Sequence, residues 1–279
     1  MKHFLFTIIS LVAFAQGAFA QDFFDDKKIA DPVPHMSKYD NDYWHLGNIS
    51  RYGQATVVTV IYTDPYRSPG YTNMSVNTAL VDQATGRRYP LIYSDGFPKE
   101  PERYVFEKEM TNLRIPVNLV FGPLPENVKE MRLDNLGLYD IEIGRVPVMP
   151  DNSVTRLFEN KKNKERTLRL DAVSDNGTNT LLYFSYTPAS SSGQKISIDK
   201  AKSVLKDRAT GKTYPLNDFL GITETPQTTF VTYDNIRPEY SETAGFLLSF
   251  PSMSAAGVKS FDYSEGNWLI EDITLPGRD

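Results

Sequence analysis

The sequence predicts an all-β protein: two tandem antiparallel β-sandwiches behind a cleaved signal peptide. Three observations carry that expectation. The octapeptide Ala84-Thr85-Gly86-Arg87-Arg88-Tyr89-Pro90-Leu91 recurs as Ala209-Thr210-Gly211-Lys212-Thr213-Tyr214-Pro215-Leu216, so the chain is written twice. Around both copies the matched apolar residues fall two apart, the spacing of a strand with one buried face. Turn-forming Pro, Gly and Asn residues punctuate these runs at short intervals, while helical spacing is nearly absent.

The elements follow in order. Lys2 and His3 precede the apolar run Phe4 to Ala15, and Ala18-Phe19-Ala20 supplies the small residues a signal peptidase requires, with Gln21 as the mature start. About 12 apolar residues at 1.5 Å each reach roughly 18 Å, short of a ~30 Å bilayer core, so residues 1–20 read as a leader and not an anchor. No later window is long and apolar enough to span, which predicts an exported mature chain, in the periplasm or at the cell surface, without a transmembrane segment. Residues 21–43 are polar and acidic, with Pro32 and Pro34, and read as a flexible lead-in.

The first copy is expected over 44–143. Its strands are placed at 44–49, 56–62, 76–81, 87–92, 103–106, 115–121, 128–133 and 138–143. Val57 to Tyr62 is apolar on both faces and rich in β-branched residues, as a central strand should be. Gly86, and Gly211 in the second copy, stand where a tight hairpin needs positive φ. Residues 144–167, with Pro147, Pro150 and the run Lys161-Lys162-Asn163-Lys164-Glu165-Arg166, read as a linker. The second copy occupies 168–279. There Leu182, Phe184 and Tyr186 answer Val58, Val60 and Tyr62, while Phe246, Leu248 and Phe250 answer Val117, Leu119 and Phe121. Units of about a hundred residues are large enough to fold on core packing, so the absence of cysteine is no obstacle.

Four second-copy segments taken together carry a resemblance: Tyr186-Thr187-Pro188, Ala209 to Leu216, Phe246 to Pro251, and Lys259-Ser260-Phe261-Asp262-Tyr263-Ser264-Glu265-Gly266. Their order resembles the immunoglobulin-like modules of exported Bacteroidetes proteins, some of which precede a thioredoxin-like domain. The resemblance implies two immunoglobulin-like sandwiches and an exported location, and no particular activity. It is looser in the first copy, where Lys129 to Gly137 lacks the Phe-Asp…Glu-Gly core, and the chain has no Cys-x-x-Cys.

Composition excludes several chemistries. With 30 Lys and Arg against 35 Asp and Glu, the net charge of −5 offers no footprint for nucleic acid. Of three histidines, His3 leaves with the leader, His35 lies in the lead-in and His45 sits on the first strand, so no zinc set forms. There is no Gly-x-Ser-x-Gly elbow or glycine-rich phosphate loop, and Asp40-Asn41-Asp42 and Asp175-Asn176-Gly177 do not match a calcium loop. No catalytic residue, metal or cofactor is expected; two carboxylates facing each other, as in a glycoside hydrolase, are the one enzymatic alternative.

Recognition remains, and the duplication supplies an internal control: positions that agree serve the framework, and divergent loops are free for a task. After the second strand, copy one reads Asp64-Pro65-Tyr66-Arg67-Ser68-Pro69-Gly70-Tyr71, while copy two has Pro188-Ala189-Ser190-Ser191-Ser192-Gly193. Tyr and Arg are favoured at interaction hot spots. Tyr66, Arg67 and Tyr71 are therefore the expected contacts for an envelope protein partner, with a glycan as the alternative ligand. The competing reading packs Tyr66 and Tyr71 against the other copy or the lead-in. Trp44 and Trp268 are expected in the core.

Overall fold

The computed structural model describes residues 33–34, 43–51, 54–100, 102–125, 127–136, 139–145, 155–162, 168–187, 194–224, 230–236, 243–266 and 268–277. Residues 1–20, expected to form a leader, and the second-copy loop 188–193 lie outside them. All the regular structure described is β. The first half contributes β1 (Val33–Pro34), β2 (Trp44–Arg51), β3 (Thr56–Arg67), β4 (Gly70–Thr72), β5 (Ala79–Asp82), β6 (Arg88–Asp95), β7 (Tyr104–Phe106), β8 (Met110–Phe121), β9 (Glu130–Leu136) and β10 (Tyr139–Arg145). The second contributes β11 (Thr155–Lys162), β12 (Leu168–Asp175), β13 (Asn179–Tyr186), β14 (Gln194–Asp199), β15 (Val204–Asp207), β16 (Thr213–Pro215), β17 (Asp218–Leu220), β18 (Thr223–Glu224), β19 (Phe230–Ile236), β20 (Ala244–Pro251), β21 (Ser260–Glu265) and β22 (Trp268–Thr274).

Strand pairing separates the two halves into units. In the first, β1-β2-β3-β8-β6-β5-β9-β10 form one eight-stranded sheet, with β4 and β7 paired apart from it. In the second the orders are β11-β12-β13-β20-β17 and β16-β15-β21-β22, with β14-β19-β18 beside them. These are the same order. The difference lies at β6, which pairs with β5 through Arg88 to Pro90 and then, past a register shift, with β8 through Leu91 to Asp95. Strands that turn a corner between layers do so at such irregularities. In the second unit that strand is broken in two, β16 on β15 and β17 on β20.

The repeat holds at the level of single hydrogen bonds. Asp82 Oδ1 accepts from the Ala84 amide at 3.0 Å, and Asp207 Oδ1 from Ala209 at 3.0 Å. The other oxygen of each takes the following threonine hydroxyl, Thr85 or Thr210. Gly86 and Gly211 close the turns at φ 70° and 73°, a left-handed backbone that a side chain disfavours. The Asp carboxylate replaces a backbone partner in each turn, which explains the recurrence of Asp-x-x-Thr-Gly.

One core fills each unit. Val58, Val60, Leu119 and Phe121 from one arm of the eight-stranded sheet share a cluster with Leu80, Met131 and Leu133 from the other, so the sheet curls around its own interior. Trp44 belongs to this cluster, and Trp268, half-buried, packs against the second core edge-on to Tyr186. The second core gathers Leu182, Phe184, Phe246, Leu248, Phe250 and Phe261. A third cluster lies between the units: Ala55, Ile92 and Val120 from the first meet Ala172, Leu181, Tyr183, Leu220 and Leu247 from the second. This seam explains why β13 and β20 are buried on both faces, since one face closes their own unit and the other meets its neighbour.

Two segment assignments need correction. Within the expected lead-in, Val33–Pro34 is a short strand paired with Ile49 and Asn48. Within the expected linker, Thr155–Lys162 is β11, the edge strand beside β12, with Lys161 and Lys162 opposite Leu170 and Arg169. Pro147 and Pro150 favour a linker reading, and Thr155-Arg156-Leu157-Phe158, two polar residues followed by two apolar ones, lacks the alternation that would mark a strand.

Candidate interaction surface

The paired strands β3 and β8 reach far beyond the first core. β3 and β8 run twelve residues each, against eight for β13 and β20. Beyond Tyr62 the paired arms continue, with Tyr66 opposite Thr111 and Arg67 opposite Met110. The chain then turns through Ser68 and Pro69 into β4, which pairs with β7: Gly70 opposite Phe106, Tyr71 opposite Val105, Thr72 opposite Tyr104.

Alternation sorts this small sheet into two faces. Phe106 and Tyr104 turn inward onto Phe97, with ring centroids 6.1 and 5.4 Å away, and Phe97 continues to Trp44 and Tyr62. Tyr71 and Val105 turn outward and are 55% and 61% exposed, and Tyr66 nearby is 53% exposed. Among the described residues the exposed large apolar side chains are Tyr43, Tyr66, Tyr71 and Val105, and three of these four lie on the end of β3 and on the β4·β7 pair. Tyr66 and Tyr71 therefore do not pack against the second unit.

Arg67 has a different role from its neighbours. Its guanidinium lies 4.7 Å from the centre of the Phe106 ring and donates to the Tyr71 carbonyl at 3.1 Å, so it braces β4 over the ribbon. Tyr62 supports the base of the turn by donating to Asp64 Oδ2 at 2.9 Å, while Asp64 Oδ1 accepts from the Tyr66 amide. Burial, then the Asp64 carboxylate, push the Tyr62 phenol up to about 12. The Tyr66 phenol is raised by its hydrogen bond to Glu109. Arg103 lies 4.2 Å from the centre of the Tyr71 ring and completes the outer face. Sequence reasoning missed Arg103 and Val105, although the alternation Arg103-Tyr104-Val105-Phe106 carried the signal.

Away from this surface, several polar groups bond within strands and turns. His45 Nε2 is 3.0 Å from Thr63 Oγ1 across the β2·β3 pair. Asp175 receives the Gly177 and Ser254 amides and the hydroxyls of Thr180, Ser252 and Ser254; burial raises its carboxyl, and these bonds outweigh that and hold it low. Asp171 lies beside a cavity of ≈ 20 Å³ between the units, lined by Arg87, Tyr89, Leu157 and Tyr183, which has room for about one water. Burial raises its carboxyl against the opposing effect of Arg169 and Ser185. Burial likewise raises Glu265, which accepts the Asp199 amide within the second unit. No group of three or more potential metal ligands exists among the described residues, and no helix among them is long and apolar enough to cross a membrane.

No family profile and no curated protein matches this chain. One solved structure, described as the conserved domain protein from Bacillus anthracis, is similar at 11% identity over 84% of this chain and 77% of its own, with a TM-score of 0.29. That likeness is too distant to bear on fold or activity.

Proposed function

We propose that this is an exported, non-catalytic binding protein whose two immunoglobulin-like sandwiches present the extended tip of the first unit to a protein partner in the bacterial envelope. The strand orders support the immunoglobulin-like part of the reading. β2-β3-β8-β6 and β5-β9-β10 correspond to the A-B-E-D and C-F-G sheets of that fold, and the second unit repeats the order. The observation that carries the binding function is that Tyr66, Tyr71 and Val105, three of the four exposed large apolar side chains among the described residues, gather where β3 ends and β4 pairs with β7. Tyrosine is favoured at docking surfaces, and exposed apolar side chains gathered in one place mark such a surface more than scattered ones do.

A photo-crosslinking amino acid at Val105, in cells making the full chain, tests the reading. One defined protein adduct, lost in the Tyr66→Ala/Tyr71→Ala variant and unaffected by soluble polysaccharide, supports a protein partner. Loss of that adduct to added polysaccharide moves the assignment to a glycan, for which the exposed tyrosine rings provide stacking surfaces. An adduct pattern indifferent to both tyrosines overturns the surface altogether. Sequencing the N-terminus of the exported protein tests the leader, with Gln21 as the expected first residue.

A further inference from the structure

Among the described residues β7 pairs with β4 alone, so one of its two sides is an open edge. Two hydrogen bonds fix which backbone groups face that edge. The Glu102 carbonyl accepts from the Asn73 side chain at 3.2 Å, on the β4 side. On β4 the Tyr71 carbonyl, opposite Val105, accepts from Arg67 at 3.1 Å, as a carbonyl turned away from β7 does. Successive strand residues turn their N–H and C=O to opposite sides, so Tyr104 and Phe106 face β4 while Arg103, Val105 and Glu107 face outward. No described group bonds the backbone of these three on the outer side. Such an edge is a template for another strand.

The side chains along it specify which strand fits. Glu102-Arg103-Tyr104-Val105-Phe106-Glu107-Lys108 is complementary to its own reverse. When two copies run antiparallel about Val105, Arg103 lies opposite Glu107 of the second copy, Tyr104 opposite Phe106, and Glu102 opposite Lys108. Arg103 and Glu107 are exposed, and neither has an ion-pair partner among the described residues. The Tyr71 ring, 4.2 Å from the Arg103 guanidinium, holds that charge on the outer face of the ribbon. This register also sets the outward N–H and C=O groups of Arg103, Val105 and Glu107 against their counterparts, so the pairs with opposite charges are hydrogen-bonded ones.

We propose that the chain forms a twofold dimer through β7, which pairs antiparallel with β7 of a second copy about Val105. Twofold pairing uses one patch twice and closes both open edges together. It joins two β4·β7 ribbons into one sheet, with Tyr71 and Val105 of each copy on a shared outer face. The dimer does not rest on an envelope partner, because it uses the edge of the ribbon and leaves that face open.

Sedimentation equilibrium of the purified protein tests the pairing. An interface this small belongs with weak specific contacts, so the series extends to about 0.5 mM. A monomer–dimer equilibrium is expected, and a monomer throughout overturns the proposal. Arg103→Glu and Glu107→Arg each place like charges opposite one another at both symmetric positions, and each should weaken the dimer about tenfold or more. Mixed in equal amounts, the two variants present opposite charges to each other, and association should return as a heterodimer. Indifference to both reversals, or a mixture that associates no better than its components, overturns the register. Since the Val105 N–H faces away from β4, Val105→Pro should abolish the dimer and keep the β4·β7 pair. A dimer that survives Val105→Pro overturns the assignment to β7.

Discussion

Alanine at Gly221 tests whether the two units meet backbone to backbone. Gly221 sits after β17 at φ 88°, and an added Cβ would lie 2.4 Å from the Ile92 oxygen of the first unit and 2.9 Å from that of Gly245. Two costs combine. A side chain in the left-handed region costs about 1 kcal/mol, and inserting a methyl where neighbouring backbone cannot yield costs about another 1–3 kcal/mol. Gly86 separates them, because it shares the left-handed backbone at φ 70° yet has nothing within 4 Å of the Cβ it lacks. Gly86→Ala should therefore show the conformational cost alone. Calorimetry should find Tm lowered by roughly 2–4 °C for Gly86→Ala and by roughly 6–12 °C for Gly221→Ala. Equal losses in the two variants would refute the close approach at the seam.

Other substitutions probe single features. Phe250 is fully buried in the second core, and Phe250→Ala should cost about 3–5 kcal/mol, read as a lower urea midpoint. The Tyr183 hydroxyl is buried in the seam without a hydrogen-bond partner, so Tyr183→Phe should raise stability by about 1 kcal/mol; a loss of that size would show the hydroxyl to be bonded. Asp134 accepts from Arg88 at 2.7 Å and pairs with Arg132; burial raises its carboxyl, but the two guanidiniums outweigh that and lower it. Its folded value lies below the unfolded ~3.9, so its contribution is complete above that pH and vanishes as pH falls through the folded value. Acid titrations of Asp134→Asn should accordingly show a shallower loss below pH 4. Tyr66→Ala/Tyr71→Ala should leave Tm within about 2 °C, whereas Arg67→Ala should lower it further, because Arg67 braces β4 against Phe106.

The repeat made most of the fold legible. Phe246, Leu248 and Phe250 announce an inward face by spacing alone, and the matched Asp-x-x-Thr-Gly turns fix where the chain reverses. β11 escaped notice because an edge strand with one half-buried face and a lysine-rich end resembles a solvated linker in composition. Two-faced burial of β13 was visible as the run Leu181-Leu182-Tyr183-Phe184, but a sequence does not say whether a second apolar face meets a layer of its own unit or a neighbour. At the tip, Tyr66 and Tyr71 stood out by residue type and the structure places both in solvent. Arg67 stood out for the same reason, yet it braces the turn from within, and only the register of β4 against β7 distinguishes these roles.

Duplication also explains why tip and seam sit where they do. Both units use the same Asp-x-x-Thr-Gly turn, at Asp82 and Asp207, and place apolar residues at matched inward positions. The outward face of the β2-β3-β8-β6 arm and that of β12-β13-β20-β17 are free of that constraint, and there each unit covers the other with Ile92, Val120, Tyr183 and Leu247. With those faces used, sequence change that leaves both cores and the seam intact is confined to strand ends. At one such end, β3 carries Tyr66 and the β4·β7 pair beyond it carries Tyr71 and Val105.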